Sequence, residues 1–356
     1  MGSWHSVFVR SDGSVKACGW NQYGQLGDET IVDKSILVVP EVTNVKQVSC
    51  GSYQTFYLLN DGTVKACGRN SGGVLGDGTN NQRITPTILP GLSNVKQVAS
   101  RDISTMFLLN DGTVKACGSN QYGQFGNGTT SYVSQYTPIE IPGLSNVQQI
   151  SYNGDGNSTF FLLKDGTVKA CGFNKYGQLG DGTTSTRTSP IVVPGLNNVK
   201  QIACGSFYTV FLLSDGTVKA CGYNGQWQLG NHSTKEKHSP TLISGLTNVK
   251  QIACGESHTV YLLNDGTVKS CGWNLYGQLG MKTTATVPTI IPELTNVTQV
   301  ACGNIHTLFL LNDGTAKACG HSDYGQLGDP YKSNKTSPIF VQGLTDAVYL
   351  SDVPVK

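Results

Sequence analysis

The chain has 356 residues, a formal net charge of +2 and only 13% charged residues. So small a net charge sets up no field to hold nucleic acid or an anionic membrane surface, so neither partner is expected. No apolar run is long enough to span a bilayer, and no basic-then-apolar leader opens the sequence. The expected compartment is the cytoplasm, or a secreted or virion-associated location if the sequence is a piece of a longer protein.

Taken in order, the chain repeats one unit. Asp-Gly turns fall at Asp12, Asp61, Asp111, Asp165, Asp215, Asp265 and Asp313, 48 to 54 residues apart. A period of this length signals a solenoid, propeller or array, and it overrides the two-domain expectation from length. The stretch from Val199 to Pro240 shows the plan of one unit. Val199 to Cys204 alternates apolar and polar residues, the pattern of a half-buried strand. Gly205-Ser206-Phe207-Tyr208 turns the chain. Thr209 to Leu213 is apolar, β-branched or aromatic, which fits a strand buried on both faces. Ser214-Asp215-Gly216 is a hairpin turn, where glycine supplies positive φ. Thr217 to Cys221 is the third strand. A polar loop then leads to a short fourth strand near Thr241-Leu242-Ile243. No stretch carries a helical period.

The two ends complete each other. Gly2 to Phe8 aligns with Gly51 to Tyr57, so the first unit lacks its first strand. Thr345 to Ser351 aligns with Thr43 to Ser49 and supplies it. Pairing the C-terminal strand with the N-terminal blade closes a ring and removes exposed edges. The predicted fold is all-β: a closed seven-bladed β-propeller of four-stranded blades, one domain and a monomer. The blades are residues 345–351 with 2–40, then 45–90, 95–142, 147–194, 199–243, 249–292 and 297–341.

Cysteine falls at two repeat positions. Cys18, Cys67, Cys117, Cys171, Cys221, Cys271 and Cys319 occupy one; Cys50, Cys204, Cys254 and Cys302 occupy the other, where Ser100, Ser151 and Ser351 stand in the remaining units. An odd count without a Cys-x-x-Cys pair fits neither a disulfide framework nor a zinc site. These are expected to be small buried residues of strands, in a reducing compartment.

Cys-Gly-x-x-His-Thr at Cys254 to Thr259 and Cys302 to Thr307, the Asp-Gly-Thr-Val turns, and Asn-x-Tyr-Gly-Gln-Leu-Gly at Asn21 to Gly27 and Asn174 to Gly180 resemble the repeat of the regulator of chromosome condensation. The resemblance covers nearly the whole chain. It implies a seven-bladed propeller, and it implies that the turn after each first strand lies on the face that meets partner proteins. One departure is the cysteine before the third-strand glycine, where the family often has tryptophan; this implies different packing on the same fold.

Strand direction places that turn and the Gly-Gln-Leu-Gly loop on one face, and the Asp-Gly hairpins and Pro-Gly-Leu connections on the other. The hairpins are nearly identical in every unit, so recognition is expected on the variable loop face. There Trp4, Tyr53, Phe207 and Tyr208 offer aromatic anchors, with His5, Glu256, His258 and His306 beside them. Trp20, Phe173, Tyr223 and Trp273, after the Cys-Gly of the third strand, are placed to rim the same face. Units three and four break the pattern. Arg101 replaces the turn glycine and Asp102 follows it, unit four inserts two residues around Tyr152 and Asp155, and the last loop of unit three is long and carries Tyr132 and Tyr136. Arg101, Asp102, Tyr152 and Asp155 form the sharpest binding expectation.

His5, His258 and His306 share one repeat position in neighbouring units, yet equivalent points on adjacent blades are too far apart for bonds of about 2 Å to one ion. Each is expected to brace its own turn. No metal and no cofactor are expected. Catalytic signatures are missing, and Gly24-Gln25-Leu26-Gly27 and its copies read as turns because no Lys-Ser/Thr follows them. The functional expectation is a non-enzymatic binding scaffold for a protein partner. Two alternatives stand beside it. One is a guanine-nucleotide exchange factor for a small GTPase, as the founding family member is, with Asp102, Asp155, Glu256, His258 and His306 available for the role. The other is a carbohydrate or cell-surface receptor binder of a bacterium or phage, with Trp4 and Tyr53 stacking on sugar.

Overall fold

The computed structural model describes residues 2–153 and 156–350. They form seven four-stranded antiparallel sheets arranged as propeller blades. In blade 5 the strands are Val199–Cys204, Tyr208–Leu213, Val218–Gly222 and Lys237–Leu242, innermost to outermost. The ring closes as the sequence predicts: Ala347–Leu350 pairs antiparallel with His5–Arg10, matching Phe8 to Leu350 and Val9 to Tyr349. An Arg10–Asp346 ion pair at 2.7 Å ties the closing strand to the hairpin beside it. No helix of the described residues is long and apolar enough to cross a membrane.

Each repeated motif has a local job. The second strand is apolar throughout because blades pack on both its sides; Val210, Phe211 and Leu212 are all fully buried. In the hairpin, Asp215 Oδ1 accepts from the Thr217 N–H and hydroxyl at 2.9 and 2.7 Å. The same pair of bonds recurs in the other six hairpins, with Ser14 replacing threonine in blade 1. In the long loop, Asn224 Nδ2 donates to Asn231 Oδ1 and Ser233 O while its Oδ1 accepts from Leu229 N, so one buried side chain folds ten residues of loop.

The third-strand cysteines lie in the seams between blades. Cys221 Sγ donates to the Gln178 carbonyl of the preceding blade at 3.3 Å, and the other six thiols make the equivalent contact. All eleven cysteines are free and buried. The next residue, Gly222, has φ +103°, and a Cβ there would meet the Phe207 carbonyl at 2.4 Å, so no other residue fits.

A second set of braces surrounds the axis. The first strands carry glutamine where simple alternation suggests a solvent-facing residue. Gln149 Nε2 donates to Ile202 O at 3.1 Å, and Ile202 N donates back to Gln149 Oε1 at 3.2 Å. Gln97 does the same with Ile150, Gln201 with Ile252 and Gln251 with Val300. Gln299 completes the set on Val348 O and Leu350 N. Each side-chain amide replaces a peptide group, stitching five consecutive inner strands to the next.

Candidate functional site

The turn after each first strand does lie on the face opposite the Asp-Gly hairpins, but the structure divides the expected site residues into two sets. His5, Tyr208, His258 and His306 are not in the turn. They are the first residues of second strands, fully buried. Each histidine reaches the neighbouring blade: His5 Nε2 to Thr55 Oγ1 at 2.9 Å, His258 Nε2 to Thr307 Oγ1 at 3.0 Å, and His306 Nε2 to Ser6 Oγ at 3.1 Å. Tyr208 takes the same place in blade 5 and donates its hydroxyl to the His258 carbonyl. These four residues brace seams rather than their own turns, which corrects their placement on the binding face. Burial pushes His5 and His258 down to about 3 and His306 well below its ordinary value, so all three are neutral near neutral pH. Tyr152 is likewise removed from the surface; it is 6% exposed and packs in the core between blades 3 and 4. Asp155 and Ser351 lie outside the described residues.

Arg101 takes a different role from a loop anchor. Its Nη2 donates to Asn304 Oδ1 at 2.9 Å, linking blade 3 to blade 7 across the ring. It sits at the wall of the axial channel beside Ser100, Ser151, Cys204 and Cys302, which surround a cavity of about 100 Å³. Arg101→Ala is expected to lower stability by about 1.5 kcal/mol through loss of this charge-assisted bond, measured by urea denaturation. The long segment of unit three is also not a loop: Tyr132 and Tyr136 belong to a ten-residue outer strand, Ser131–Glu140.

The residues that do form a surface are aromatic and contiguous. Trp273 meets Tyr276 (5.6 Å between ring centroids), Tyr276 meets His321 (4.9 Å), and His321 meets Trp4 (5.6 Å). Trp4 packs on Tyr324, Tyr324 on Trp20, and Trp20 edge-to-face on Tyr53 at 5.2 Å. Tyr23 joins Trp20 and Tyr53. The Arg69 guanidinium lies over both Tyr23 and Tyr53 and approaches Asp102 at 3.9 Å. This half-buried band crosses blades 6, 7, 1 and 2 and ends at blade 3. Trp4, Tyr53 and Asp102 are among the residues singled out from the sequence, and Trp20 and Trp273 are rings of the same band. Tyr23, Tyr276 and Tyr324 are not singled out, because they stand in the Asn-x-Tyr-Gly repeat (Ser-Asp-Tyr-Gly in blade 7), which reads as scaffold. Arg69 carried a signal: it follows the Cys-Gly where five of the other six units have a ring, Ser119 being the exception.

A separate cluster forms on blades 4 and 5. Tyr176 packs on Phe207 at 5.1 Å and on Tyr223 at 5.3 Å. The three rings wall a cleft of about 530 Å³, bounded on its other sides by Gln226, Glu256, Ser257 and Asn304. At the opposite mouth of the channel, Lys96, Lys164, Lys200 and Lys250 border a cavity of about 900 Å³ together with Asp165. Burial and the nearby charges of Lys164 and Lys46 hold Lys96 below its ordinary value.

The RCC1-like domain model matches residues 154–353. The regulator of chromosome condensation (RCC1) repeat matches residues 1–25, 45–73 and 95–124, and a second model of that repeat matches 111–157. None of the curated proteins compared with the chain matches it. Among solved structures, human WBSCR16 is 23% identical over 95% of this chain and 94% of its own, with a TM-score of 0.81. Yeast RCC1 (Prp20) bound to Kap60 is 21% identical over 96% of this chain and 84% of its own, with a TM-score of 0.80. Prp20p from Saccharomyces cerevisiae, described with its binding properties to Gsp1p and histones, is 22% identical over 96% of this chain and 86% of its own, also at 0.80. At these identities the solved structures establish the fold alone. The repeat matches in the first half and the domain match across the second establish more: the chain belongs to the regulator of chromosome condensation (RCC1) repeat family.

Proposed function

We propose that the chain is a non-enzymatic scaffold that holds a protein partner against its loop face. The aromatic band from Trp273 to Tyr53, capped by Arg69, carries this reading. Tryptophan, tyrosine and arginine are the residues that dominate protein interfaces. Rings already locked edge-to-face lose little rotamer freedom when a partner covers them. Prp20, of the same fold, is described as binding proteins: Kap60, Gsp1p and histones.

The test is affinity capture with the wild-type protein and with a Trp20→Ala, Tyr53→Ala double variant, followed by titration of the captured partner. Loss of two central anchors is expected to weaken binding by about 2 kcal/mol or more, roughly thirtyfold. Equal affinity for the two proteins would defeat the proposal. A nucleotide-release assay on a panel of small GTPases, run on the same pair, identifies an exchange activity if the partner is a GTPase.

One observation favours a second reading, a sugar-like ligand in the cleft between blades 4 and 6. Its three aromatic walls face amide, hydroxyl and carboxylate groups, the mixture that neutral polyols need. Phe207→Ala is expected to abolish signal on a glycan array under this reading and to change nothing under the first.

A further inference from the structure

We propose that the outer edge of blade 1 is a β-addition site for an extended segment of a partner protein, apolar at alternate positions and flanked by basic residues. The site is distinct from the loop face and does not depend on it.

The outermost strand of every blade is an edge, and an edge left open templates further pairing. Six of the seven edges carry a proline at one register: Pro86, Pro138, Pro190, Pro240, Pro288 and Pro338. The register shows what it does. Thr241 pairs with Ala220 and Ile243 N bonds Val218 O, so these residues face the third strand and Pro240 faces away. The proline therefore deletes an outward N–H donor.

Blade 1 departs from this arrangement. Its outer strand, Lys34–Val38, pairs Val38 with Ala17, so the outward position belongs to Leu37, which keeps its N–H. The nearest proline, Pro40, sits instead where the six other blades have an N–H bonded inward to the third strand, as in Leu89 N to Val64 O. Blade 1 thus loses a bond to its own sheet and gains a donor on the free side.

A second guard is missing as well. In blades 2 to 6 the long loop of the preceding blade donates a backbone N–H to the carbonyl two residues before the proline: Glu29 to Ile84, Gly78 to Tyr136, Gly128 to Thr188, Gly182 to His238 and His232 to Thr286. For blade 1 the equivalent donor position is Pro330, which has no N–H; among the described residues no such bond reaches Ser35, nor Thr336 in blade 7, whose edge keeps its proline. Ser35 C=O and Leu37 N–H together form the alternating acceptor and donor that an added strand requires.

The side chains specify the occupant. Ile36 is 60% exposed where most blades have threonine or serine, and Ile31 and Val32, just before the strand, are 55% and 60% exposed. Val39 is exposed too, but so are Ile88, Val192 and Leu242 at the same register, so it does not distinguish blade 1. Exposed Glu41 and half-buried Asp33 flank the strand, while its one lysine, Lys34, is paired with Asp28 at 3.3 Å. A second copy laid antiparallel on this edge brings acid against acid. A segment with Lys or Arg at its ends complements it.

The probe is a fluorescein-labelled peptide of alternating valine and threonine with two lysines at each end, titrated by anisotropy. Saturable binding to wild type is expected. Leu37→Pro installs the residue the other six edges already tolerate, so the melting temperature should hold while affinity falls at least about tenfold, or 1.4 kcal/mol. Pro330→Gly, which supplies the missing donor to Ser35, should weaken binding in the same direction. The same peptide with glutamates at its ends should bind at least about tenfold more weakly. The Trp20→Ala, Tyr53→Ala variant should bind the peptide as wild type does, which separates this site from the loop face. Absence of saturable binding to wild type, equal binding by Leu37→Pro, or equal binding of the acidic peptide overturns the proposal. So does a sedimentation result in which wild type dimerises and Leu37→Pro does not, because the occupant is then a second copy.

Discussion

Acidification from about pH 7 to about 5 is expected to remove roughly 6 kcal/mol of folding stability, and the triple variant His5→Gln, His258→Gln, His306→Gln is expected to abolish most of that loss. The ordinary histidine value is 6.5; His5 and His258 are held at about 3 in the folded chain, and His306 well below its ordinary value. All three are buried neutral, with Nε2 committed to a hydroxyl on the next blade. The unfolded chain therefore takes up protons first. Stability is fully present above the unfolded value near 6.5 and is lost as pH falls toward the folded values, about 3 for His5 and His258. Each histidine supplies a slope of about 1.4 kcal/mol per pH unit, and three together about 4. That is a large share of the ~5–15 kcal/mol that holds a typical domain folded. The hairpin aspartates, lowered mainly by their Ser or Thr hydrogen bonds, act in the same direction but only below their ordinary 3.8. The interval above about pH 5 thus isolates the histidines. Glutamine is the informative replacement because Gln54 occupies this register in blade 2. Calorimetric melting across pH decides it: a triple variant with the wild-type slope would show that other groups bind the protons.

The second large effect lies at the axis. Gln251→Leu keeps the side-chain bulk but strips both bonds to Val300, whose N–H and C=O then face the narrow inner ring without partners. Two unsatisfied groups at about 1.5 kcal/mol each give an expected loss of about 3 kcal/mol. Lys250→Ala, one residue away, alters an exposed side chain and should change stability by less than about 0.5 kcal/mol. Denaturation in urea compares the two. Equal effects would mean that the glutamine braces are incidental.

Much of the ring was legible because its cause is repetition. Asp-Gly-Thr recurs since a carboxylate must cap each hairpin, and the truncated first unit pointed to the strand that completes it. The seams were less legible, for a physical reason. A histidine after Cys-Gly-x-x looks like a turn residue when one unit is considered alone. Its partner, Thr55 for His5 or Thr307 for His258, lies about fifty residues away on another blade, and no local pattern marks it. Gln149 misled in the same manner: alternation assigns it to solvent, whereas the closeness of inner strands around the axis lets its amide bond a neighbour. Phe207 and Tyr208 show the sharpness of the effect. One residue of register separates a ring at the surface from a ring at 0% exposure. Arg101 departed from its siblings as a binding residue would, yet the departure serves a bond across the channel.

The seam cysteines have a practical use as well. Burial pushes Cys18, Cys67 and Cys271 up to about 12 and raises the other four seam thiols as well. Since only the thiolate attacks an alkylating reagent, a closed ring presents none of these sulfurs in reactive form. Each becomes a clock for the interface it occupies. Mass-resolved alkylation over time would rank the seven interfaces by how often they breathe, with no label introduced and no residue changed.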